Sequence, residues 1–319
     1  MATKTWAGGA TGNWNVASNW SPSGVPATGD DVIINTSGCD VTLDVHIGGG
    51  QTNTGLNSLT ITSGLLDTND GSNRMLTIDE ALDIGTAGDI DMNGSDVSIG
   101  TLAVANSASA SIIFSSATTT ITLEPNSTHP TWGFGIGSAA TANFNSGTIK
   151  FAKVTSGTRY LQMGGQGVHV LNDVIIDTNY DIPWASHFEA ASLDIQDGNL
   201  NSYGGSDSIT ITGDLTVGNG TDAASLGYTS DSNGFHDQSF GGIKLKNNGT
   251  LNGTNQTMTV TNRYTGESHL WKNDGGTFNH NNGTVKFSDN DHSAVKENTF
   301  YNVEVASNLG DYAVSFEAQ

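Results

Sequence analysis

The chain has 319 residues and a net charge of −21, with 11 lysines and arginines against 32 aspartates and glutamates. Nucleic-acid binding needs clustered Lys and Arg, so this charge argues against a nucleic-acid partner. Glycine is frequent, at 41 residues, and charged residues make up only 13%. This composition favours short strands joined by tight turns, because Asn, Asp and Gly accept turn dihedral angles.

Cysteine content and the apolar runs limit how the chain is stabilised and where it is made. Cys39 is the only cysteine, so stability must come from packing or from association between chains. No apolar run of about 18 residues occurs, so no membrane span is expected. The first residues lack the apolar core of a secretory signal, and we therefore expect synthesis in a cytoplasm without signal-peptide export.

Residues 1–55 form a distinct tryptophan-rich module. Three tryptophans, Trp6, Trp14 and Trp20, lie within fifteen positions. Each could bury on the order of 150–250 Å², and a stacked core needs an atypical terminal repeat to cover its open end. We therefore predict that the three tryptophans form a structural cap. An aromatic platform for sugar stacking is the alternative.

The same module resembles a segment found in a known class of proteins. Its elements are Trp-Gly at 6–8, Asn-Trp-Ser at 19–21, Val-Pro at 25–26 and Asp-Asp-Val-Ile-Ile at 30–34. Over about the first 35 residues it is similar to the amino-terminal module ahead of parallel β-helix regions in bacterial surface proteins and in tail or fibre proteins of tailed bacteriophages. The resemblance implies a β-helix architecture and brings no catalytic residue.

From Leu56 onward the sequence is strand-rich and duplicated. Apolar residues alternate with polar ones in short runs that stop at Gly, Asn or Asp, as in half-buried strands. The Gly-Thr-Ile-Lys-Phe element at 147–151 returns as Gly-Thr-Val-Lys-Phe at 283–287, and Phe-Glu-Ala at 188–190 returns at 316–318. This duplication predicts two units, residues 56–190 and 191–319.

Two fold classes account for these units. About six coils of about 22 residues fit each one, so we predict an all-β, right-handed parallel β-helix (a solenoid) with the amino-terminal capping module. Inward Leu, Ile, Val and Phe would form ladders along the core. Tandem antiparallel β-sandwich domains are the alternative, because Asn-Gly pairs, which are typical of tight hairpins, occur six times.

Acidic motifs offer little metal chemistry. Asp89-x-Asp91-x-Asn93-Gly94 matches the opening of a calcium loop, but Gly100 stands where the bidentate Glu belongs. A strand with an outward acidic face followed by a turn explains this motif better. Adventitious Ca²⁺ could occupy Asp- and Asn-rich loops such as 288–292, and no dedicated metal or cofactor is expected.

Catalytic motifs are also missing, so we predict no enzyme activity. β-Helix enzymes that cleave polysaccharides need two carboxylates at a defined separation, or a base with a charge-neutralising partner. Asp30-Asp31 is the only adjacent Asp pair, and a turn into the first strand is its simpler explanation. Gly-x-Ser-x-Gly and phosphate-binding loop motifs do not occur.

Three tryptophans outside the module are candidate contact residues. Trp132 and Trp271 each precede a copy of the duplicated Lys-Phe element, and Trp184 lies between them. An exposed tryptophan can stack on glycan rings, so we assign the three as candidate glycan or partner contacts. Packing in the core or between chains is the alternative.

These observations predict a non-enzymatic structural and adhesive rod of a virion. The expected protein is a phage tail fibre, spike or particle-surface protein that is homotrimeric, binds other virion or surface proteins, and serves host-cell attachment through a cell-surface glycan. Its expected location is the virion surface. A bacterial extracellular adhesin at the cell surface and a polysaccharide-degrading β-helix enzyme are the alternatives.

Overall fold

The structure is a computed structural model in which the chain forms two compact units, Met1–Asn172 and Asp173–Gln319. It describes residues 1–48, 55–68, 71–114, 119–124, 133–144, 146–153, 161–163, 169–185, 187–202, 207–227, 238–288, 293–296, 299–306 and 314–317. The capping module lies in the first unit. The division between the units falls at 172/173, ahead of the predicted division at 190/191.

The described part of the first unit is built from strands and one 3₁₀ turn. These elements are β1 (Thr3–Trp6), β2 (Thr11–Asn13), η1 (Ala17–Asn19), β3 (Trp20–Ser21), β4 (Asp31–Thr42), β5 (Leu56–Asp67), β6 (Leu76–Asp91), β7 (Val97–Val104), β8 (Ser111–Ile113), β9 (Thr120–Leu123), β10 (Phe134–Ile136), β11 (Thr141–Asn143), β12 (Thr148–Phe151) and β13 (Leu161–Met163).

The second unit is likewise made of strands. They are β14 (Leu171–Ala185, which begins in the first unit), β15 (Phe188–Ser202), β16 (Ile209–Val217), β17 (Ala224–Leu226), β18 (Gln238–Lys246), β19 (Gly249–Asn252), β20 (Thr257–Val260), β21 (His269–Asp274), β22 (Thr277–Asn279), β23 (Thr284–Phe287), β24 (Ser293–Lys296), β25 (Asn302–Val305) and β26 (Val314–Glu317).

The predicted all-β solenoid is confirmed: parallel coils stack on one another, about 10 turns in all. Strands of successive coils pair in parallel, as in β5 with β6 and β16 with β18. This pairing excludes antiparallel sandwiches. The Asn-Gly pairs at 93–94 and 248–249 are corners within a coil instead of hairpins, and Asn93 and Asn248 adopt the left-handed conformation there. The pair at 233–234 lies outside the described residues.

The coils do not share the predicted length of about 22 residues. Thr284 stacks on Asn302, which is 18 positions away, whereas Leu102 stacks on Phe134, which is 32 positions away. Individual coils of the described part therefore differ in length by up to 14 residues. Fewer coils than the predicted twelve are the result.

The second unit has three strand faces. Face A runs through β15, β16, β18, β20, β23 and β25; face B through β15, β16, β18, β21, β24 and β26; face C through β15, β17, β19 and β22. Inward side chains of face B form one buried column. Its members are Leu193, Leu215, Ile243, Trp271 and Val295, none more than 1% exposed. Burial of each contributes on the order of 1.5–3 kcal/mol.

One pair of repeated motifs does not occupy equivalent positions. The two Lys-Phe strands are alike, since β12 stacks in parallel on β9 and β23 stacks in parallel on β20. The second Phe-Glu-Ala copy is different, because Phe188 lies on face A and Phe316 on face B. Equivalence of these two motifs was therefore a wrong inference from matching letters.

The amino-terminal module closes the first coil of the first unit. β1 and β2 pair in parallel with β4, and β3 folds back antiparallel onto β1. The rings of Trp6 and Trp14 meet Trp20 edge-on at 5.1 and 4.7 Å, and all three are at most 3% exposed. This is the arrangement expected of the predicted cap, and burial of the rings excludes a sugar platform.

Candidate functional site: a lysine ladder on face B

Three of the chain's few basic residues align on the outward side of face B. Lys244 pairs in register with Lys272, and Lys272 with Lys296, on three successive coils. Each follows a buried member of the inward column, so the alternation of the strand turns each lysine outward. Successive strands lie about 4.8 Å apart, which would leave unscreened ammonium groups in strong mutual repulsion.

Two carboxylates lie between the three ammonium groups and offset part of their charge. Glu267 Oε1 accepts hydrogen bonds from Lys244 Nζ at 3.0 Å and from Lys272 Nζ at 2.9 Å. Asp274 lies 3.7 Å from the Lys272 ammonium and 3.4 Å from that of Lys296. We call these five residues the lysine ladder. Positive and negative groups alternate along it, and 21–30% of each lysine side chain is exposed.

Hydrogen bonding inside the ladder changes two ionisation equilibria. The bonds from Lys272 and Lys244 lower the pKa of Glu267 to about 2. The same bond to Glu267 raises the pKa of Lys272. Both residues therefore stay charged at neutral pH, and the ladder keeps its alternating charges.

A loop of residues 261–268 positions Glu267 on this face. The Tyr264 hydroxyl bonds Thr216 Oγ1 at 2.7 Å, and the Lys244 ammonium lies 5.3 Å from the centre of the tyrosine ring. The backbone N–H of Thr265 donates to Asp214 at 2.9 Å. Gly242 makes this approach possible, because a Cβ there would lie 2.3 Å from the Tyr264 backbone.

The column continues to the last coil through an acidic residue. Glu317 follows Lys296 in register, and its Oε2 lies 3.2 Å from His269 Nε2. Face B thus presents hydrogen-bond donors and acceptors in fixed alternation. Such a surface can bind hydroxyl and carboxylate groups of a ligand without rearrangement.

A second polar cluster lies at the start of face A. Ser208 Oγ lies 2.6 Å from His187 Nδ1, and Glu189 Oε2 lies 3.6 Å from His187 Nε2. Serine, histidine and carboxylate are the groups of a nucleophile activated by a base. The carboxylate contact exceeds hydrogen-bond length, so Glu189 does not orient the imidazole in this arrangement.

Two of the three predicted glycan contacts are buried. Trp184 is 1% exposed and Trp271 is 0% exposed, so assigning them as contacts was wrong. The alternative of core packing holds for both: Trp271 packs edge-on against Phe278 at 4.7 Å, and Trp184 packs against Phe188 at 6.3 Å. Trp132 lies outside the described residues.

The acidic motifs have structural roles where they are described. Asp30 accepts hydrogen bonds from the Ala2 and Ala27 backbone, so the Asp pair does form the turn into β4. Asp89 and Asp91 face outward on β6 between buried Ile90 and Met92, and Asn93 forms the turn. Loop residues 289–292 lie outside the described part.

The described residues contain neither a metal cluster nor a membrane-spanning helix. Within these ranges, no group of three or more His, Cys, Asp or Glu side chains is arranged to hold a metal ion. Among the same residues, no helix has the length and hydropathy needed to cross a membrane.

Sequence reasoning missed the lysine ladder, although a signal was present. Each lysine directly follows a large apolar residue, in the pairs Ile243-Lys244, Trp271-Lys272 and Val295-Lys296. The pairs are 28 and 24 residues apart, so no fixed period reveals them. Aligning the chain on its apolar-lysine pairs, while allowing variable coil lengths, would have found the column.

Comparison with known proteins adds one finding. The family described as Domain of unknown function (DUF8693) matches residues 5–151, which is less than half of the chain and lies within the first unit. No curated protein and no solved structure gave a significant match.

Proposed function

We propose that this protein is a non-enzymatic structural and adhesive rod of a virion, such as a tail fibre, spike or particle-surface protein, that presents a glycan-binding surface to a host cell. It is made in the host cytoplasm. Three copies of the chain form a homotrimer, which assembles with other virion proteins. A bacterial extracellular adhesin would use the same surface chemistry, and neighbouring tail or capsid genes would separate the two origins.

The observation that carries the proposal is the fixed alternation of charges on face B. Lys272 has three ammonium protons, of which Glu267 accepts one at 2.9 Å. The remaining donors and the carboxylate oxygens of Glu267 and Asp274 are held in place by the stacked strands. A rigid row of donors and acceptors suits the hydroxyl and carboxylate groups of a surface polysaccharide, because little entropy is lost on binding.

A binding experiment tests the adhesive role. We expect the fluorescently labelled protein to be retained on an array of neutral and acidic bacterial surface polysaccharides, and Lys272→Ala to reduce retention about tenfold, equivalent to about 1.4 kcal/mol. Lys286→Ala is the matched control, because Lys286 lies on face A and also bonds a carboxylate, Glu304, at 2.8 Å. Absence of retention on every polysaccharide and on intact cells would contradict adhesion, and equal losses in both variants would exclude the lysine ladder.

The His187–Ser208 contact is the specific observation that favours the enzyme alternative. A hydrolase would pass the Ser208 proton to His187 while Ser208 Oγ attacks the acyl carbonyl of a substrate ester. The ester C–O bond would break, the alcohol would leave with the proton from His187, and water would then release the carboxylic acid from Ser208. We expect no labelling of Ser208 by a fluorophosphonate probe and no release of reducing ends or unsaturated products from polysaccharides. Labelling that is abolished by Ser208→Ala and retained in Ser192→Ala would overturn the non-enzymatic proposal.

A further inference from the structure

We propose that face B binds an acidic polysaccharide whose carboxylates are held by Lys246, a lysine beside the ladder that has no counter-ion within the described part of the chain. This inference rests on the proposed adhesive function and names the class of polysaccharide that face B binds. It also separates the residue that selects for charge, Lys246, from the paired lysines of the ladder.

Lys246 lies on the outward side of face B, two positions after Lys244 on β18. Leu245 between them is buried, so the alternation of the strand turns both lysines to the same side. Lys246 pairs in register with Asp274 on the next coil, as Lys244 does with Lys272. These four residues form a grid with a spacing of about 6.6 Å along the strands and about 4.8 Å between them.

The carboxylates beside Lys246 are already engaged by other lysines. Asp274 Oδ1 lies 3.4 Å from Lys296 Nζ, and its Oδ2 lies 3.7 Å from Lys272 Nζ. Glu267 Oε1 accepts hydrogen bonds from two lysines of the ladder. Within the described ranges, the Lys246 ammonium has neither a hydrogen bond nor an ion pair, and its side chain is partly exposed. All three of its protons are therefore free to bind a ligand.

Positive charge exceeds negative charge on this part of face B. Four lysines stand against the two carboxylates that contact them, an excess of two positive charges in a chain with 11 basic and 32 acidic residues. Asp194 and Glu317 occupy the two ends of the outward column, so the excess is confined to the coils of β18, β21 and β24. A local positive field of this kind attracts an anionic ligand.

The carboxylates of the ladder determine which polyanion fits. A polymer with an anionic group on every residue, such as DNA, would bring its charges against Glu267 and Asp274. A polysaccharide whose charged sugars are separated by neutral ones avoids this repulsion. Its carboxylate accepts hydrogen bonds from Lys246, and hydroxyl groups of the neighbouring neutral sugar donate to the oxygens of Glu267 and Asp274.

Lys246 is the primary contact because binding there breaks no ion pair of the chain. A ligand carboxylate at Lys272 would compete with Glu267, whose Oε1 is 2.9 Å from the ammonium. The hydroxyl groups of the polysaccharide accept hydrogen bonds from the remaining protons of Lys272 instead. Charge recognition at Lys246 and hydroxyl recognition along the ladder therefore use different residues of the same face.

Retention on a polysaccharide array tests the inference. We expect the fluorescently labelled full chain to be retained most strongly on carboxylated bacterial surface polysaccharides, and reduction of the carboxyl groups of the best-retained polymer to lower retention about tenfold. Lys246→Ala should lower retention on the carboxylated polymer by a similar factor and leave retention on the reduced polymer unchanged. Lys286→Ala is the charge-matched control, because Lys286 lies on face A and pairs with Glu304 at 2.8 Å.

Three further measurements separate charge recognition from folding. Lys246→Ala removes no hydrogen bond or ion pair of the described chain, so its midpoint of urea denaturation should equal that of the parent. Lys246→Arg keeps the charge and should keep most of the retention. Raising the NaCl concentration from about 0.1 M to about 1 M shortens the screening length from about 10 Å to about 3 Å, and should remove most of the difference between Lys246→Ala and the parent.

Three results would overturn the inference and leave the adhesive role intact: strongest retention on a neutral polysaccharide, equal retention before and after carboxyl reduction, or parent-like retention of Lys246→Ala. Retention on duplex DNA as strong as on the carboxylated polysaccharide would also overturn it, because the carboxylates of the ladder should exclude a polymer charged at every residue. Absence of retention on all polysaccharides and on intact cells would instead refute the adhesive role itself.

Discussion

At the scale of single residues, Trp20 links the capping module together. Its indole ring meets both Trp6 and Trp14 edge-on, and its Nε1 donates a hydrogen bond to the Trp14 carbonyl at 2.8 Å. Edge-on aromatic pairs contribute about 0.5–1.5 kcal/mol each beyond the burial of their area. Gly8 lets the Trp6 ring lie flat against the chain, because a Cβ there would be 2.6 Å from that ring.

Removing the Trp20 ring should therefore destabilise the first unit strongly. We expect Trp20→Ala to lower its free energy of unfolding by about 3–5 kcal/mol, measured by urea denaturation followed by tryptophan fluorescence and circular dichroism. Val16→Ala serves as the control, since Val16 is 42% exposed and should cost little. A loss below about 1 kcal/mol for Trp20→Ala would show that the cap does not depend on this ring.

Glu267 gives a pH-dependent prediction at the same scale. Its pKa lies near 2 in the folded protein and at 4.5 ordinarily, so the ionised side chain stabilises the fold above pH 4.5. That stabilisation is lost as the pH falls from 4.5 toward 2. Glu267→Gln should be less stable than the parent at pH 7 by about 1 kcal/mol.

The difference between Glu267→Gln and the parent should disappear near pH 2, as measured by urea denaturation across pH. Glu304→Gln is the control, because Glu304 is 53% exposed and bonds a single lysine. A constant difference between Glu267→Gln and the parent from pH 7 to pH 2 would contradict the assigned hydrogen bonds.

At the scale of structural elements, the corner after face C depends on buried asparagines. Asn252 is 1% exposed, and its Nδ2 donates to the carbonyls of Leu226 and Gly227 on the preceding coil. Asn279 on the next coil donates to Asn252 Oδ1 at 2.7 Å. At the corner the strands end, so the backbone carbonyls of Leu226 and Gly227 accept their hydrogen bonds from the Asn252 side chain instead of from a neighbouring strand.

Breaking this chain of hydrogen bonds should destabilise the second unit. We expect Asn252→Ala to cost about 1–3 kcal/mol, because it leaves buried polar groups on both neighbouring coils without partners. Asn199→Ala is the matched control on face C, since Asn199 is only half-buried and accepts a single bond from Ser225. Equal stability losses in urea denaturation would contradict a special role for the corner.

At the scale of the whole chain, surface charge and strand stacking have separate roles. The chain as a whole carries a net charge of −21, whereas the ladder concentrates three lysines on one face. Stacking in register explains this concentration. The inward residues of face B are aligned from coil to coil, so the outward residues that directly follow them are aligned as well.

Much of the fold could be predicted from the sequence. Alternation of apolar and polar residues over a few positions determines half-buried strands, and the lack of helical periodicity excludes helices. The repeated strand order favoured parallel stacking but left tandem antiparallel sandwiches as an alternative, and the clustered tryptophans of residues 1–55 predicted the cap. These features depend on neighbours along the chain, so local chemistry is sufficient to find them.

Only the tertiary structure decided which side chains share a face. Trp271 belongs to the inward column and Lys272 to the ladder because one strand alternates between core and solvent. Phe188 and Phe316, in identical three-residue motifs, lie on different faces. The physical reason is that coil lengths range from 18 to 32 residues, so register is set by packing between residues far apart in sequence. Sequence by itself determined an all-β fold with a buried tryptophan cluster, and packing between coils decided the parallel stacking and the face on which its charges lie.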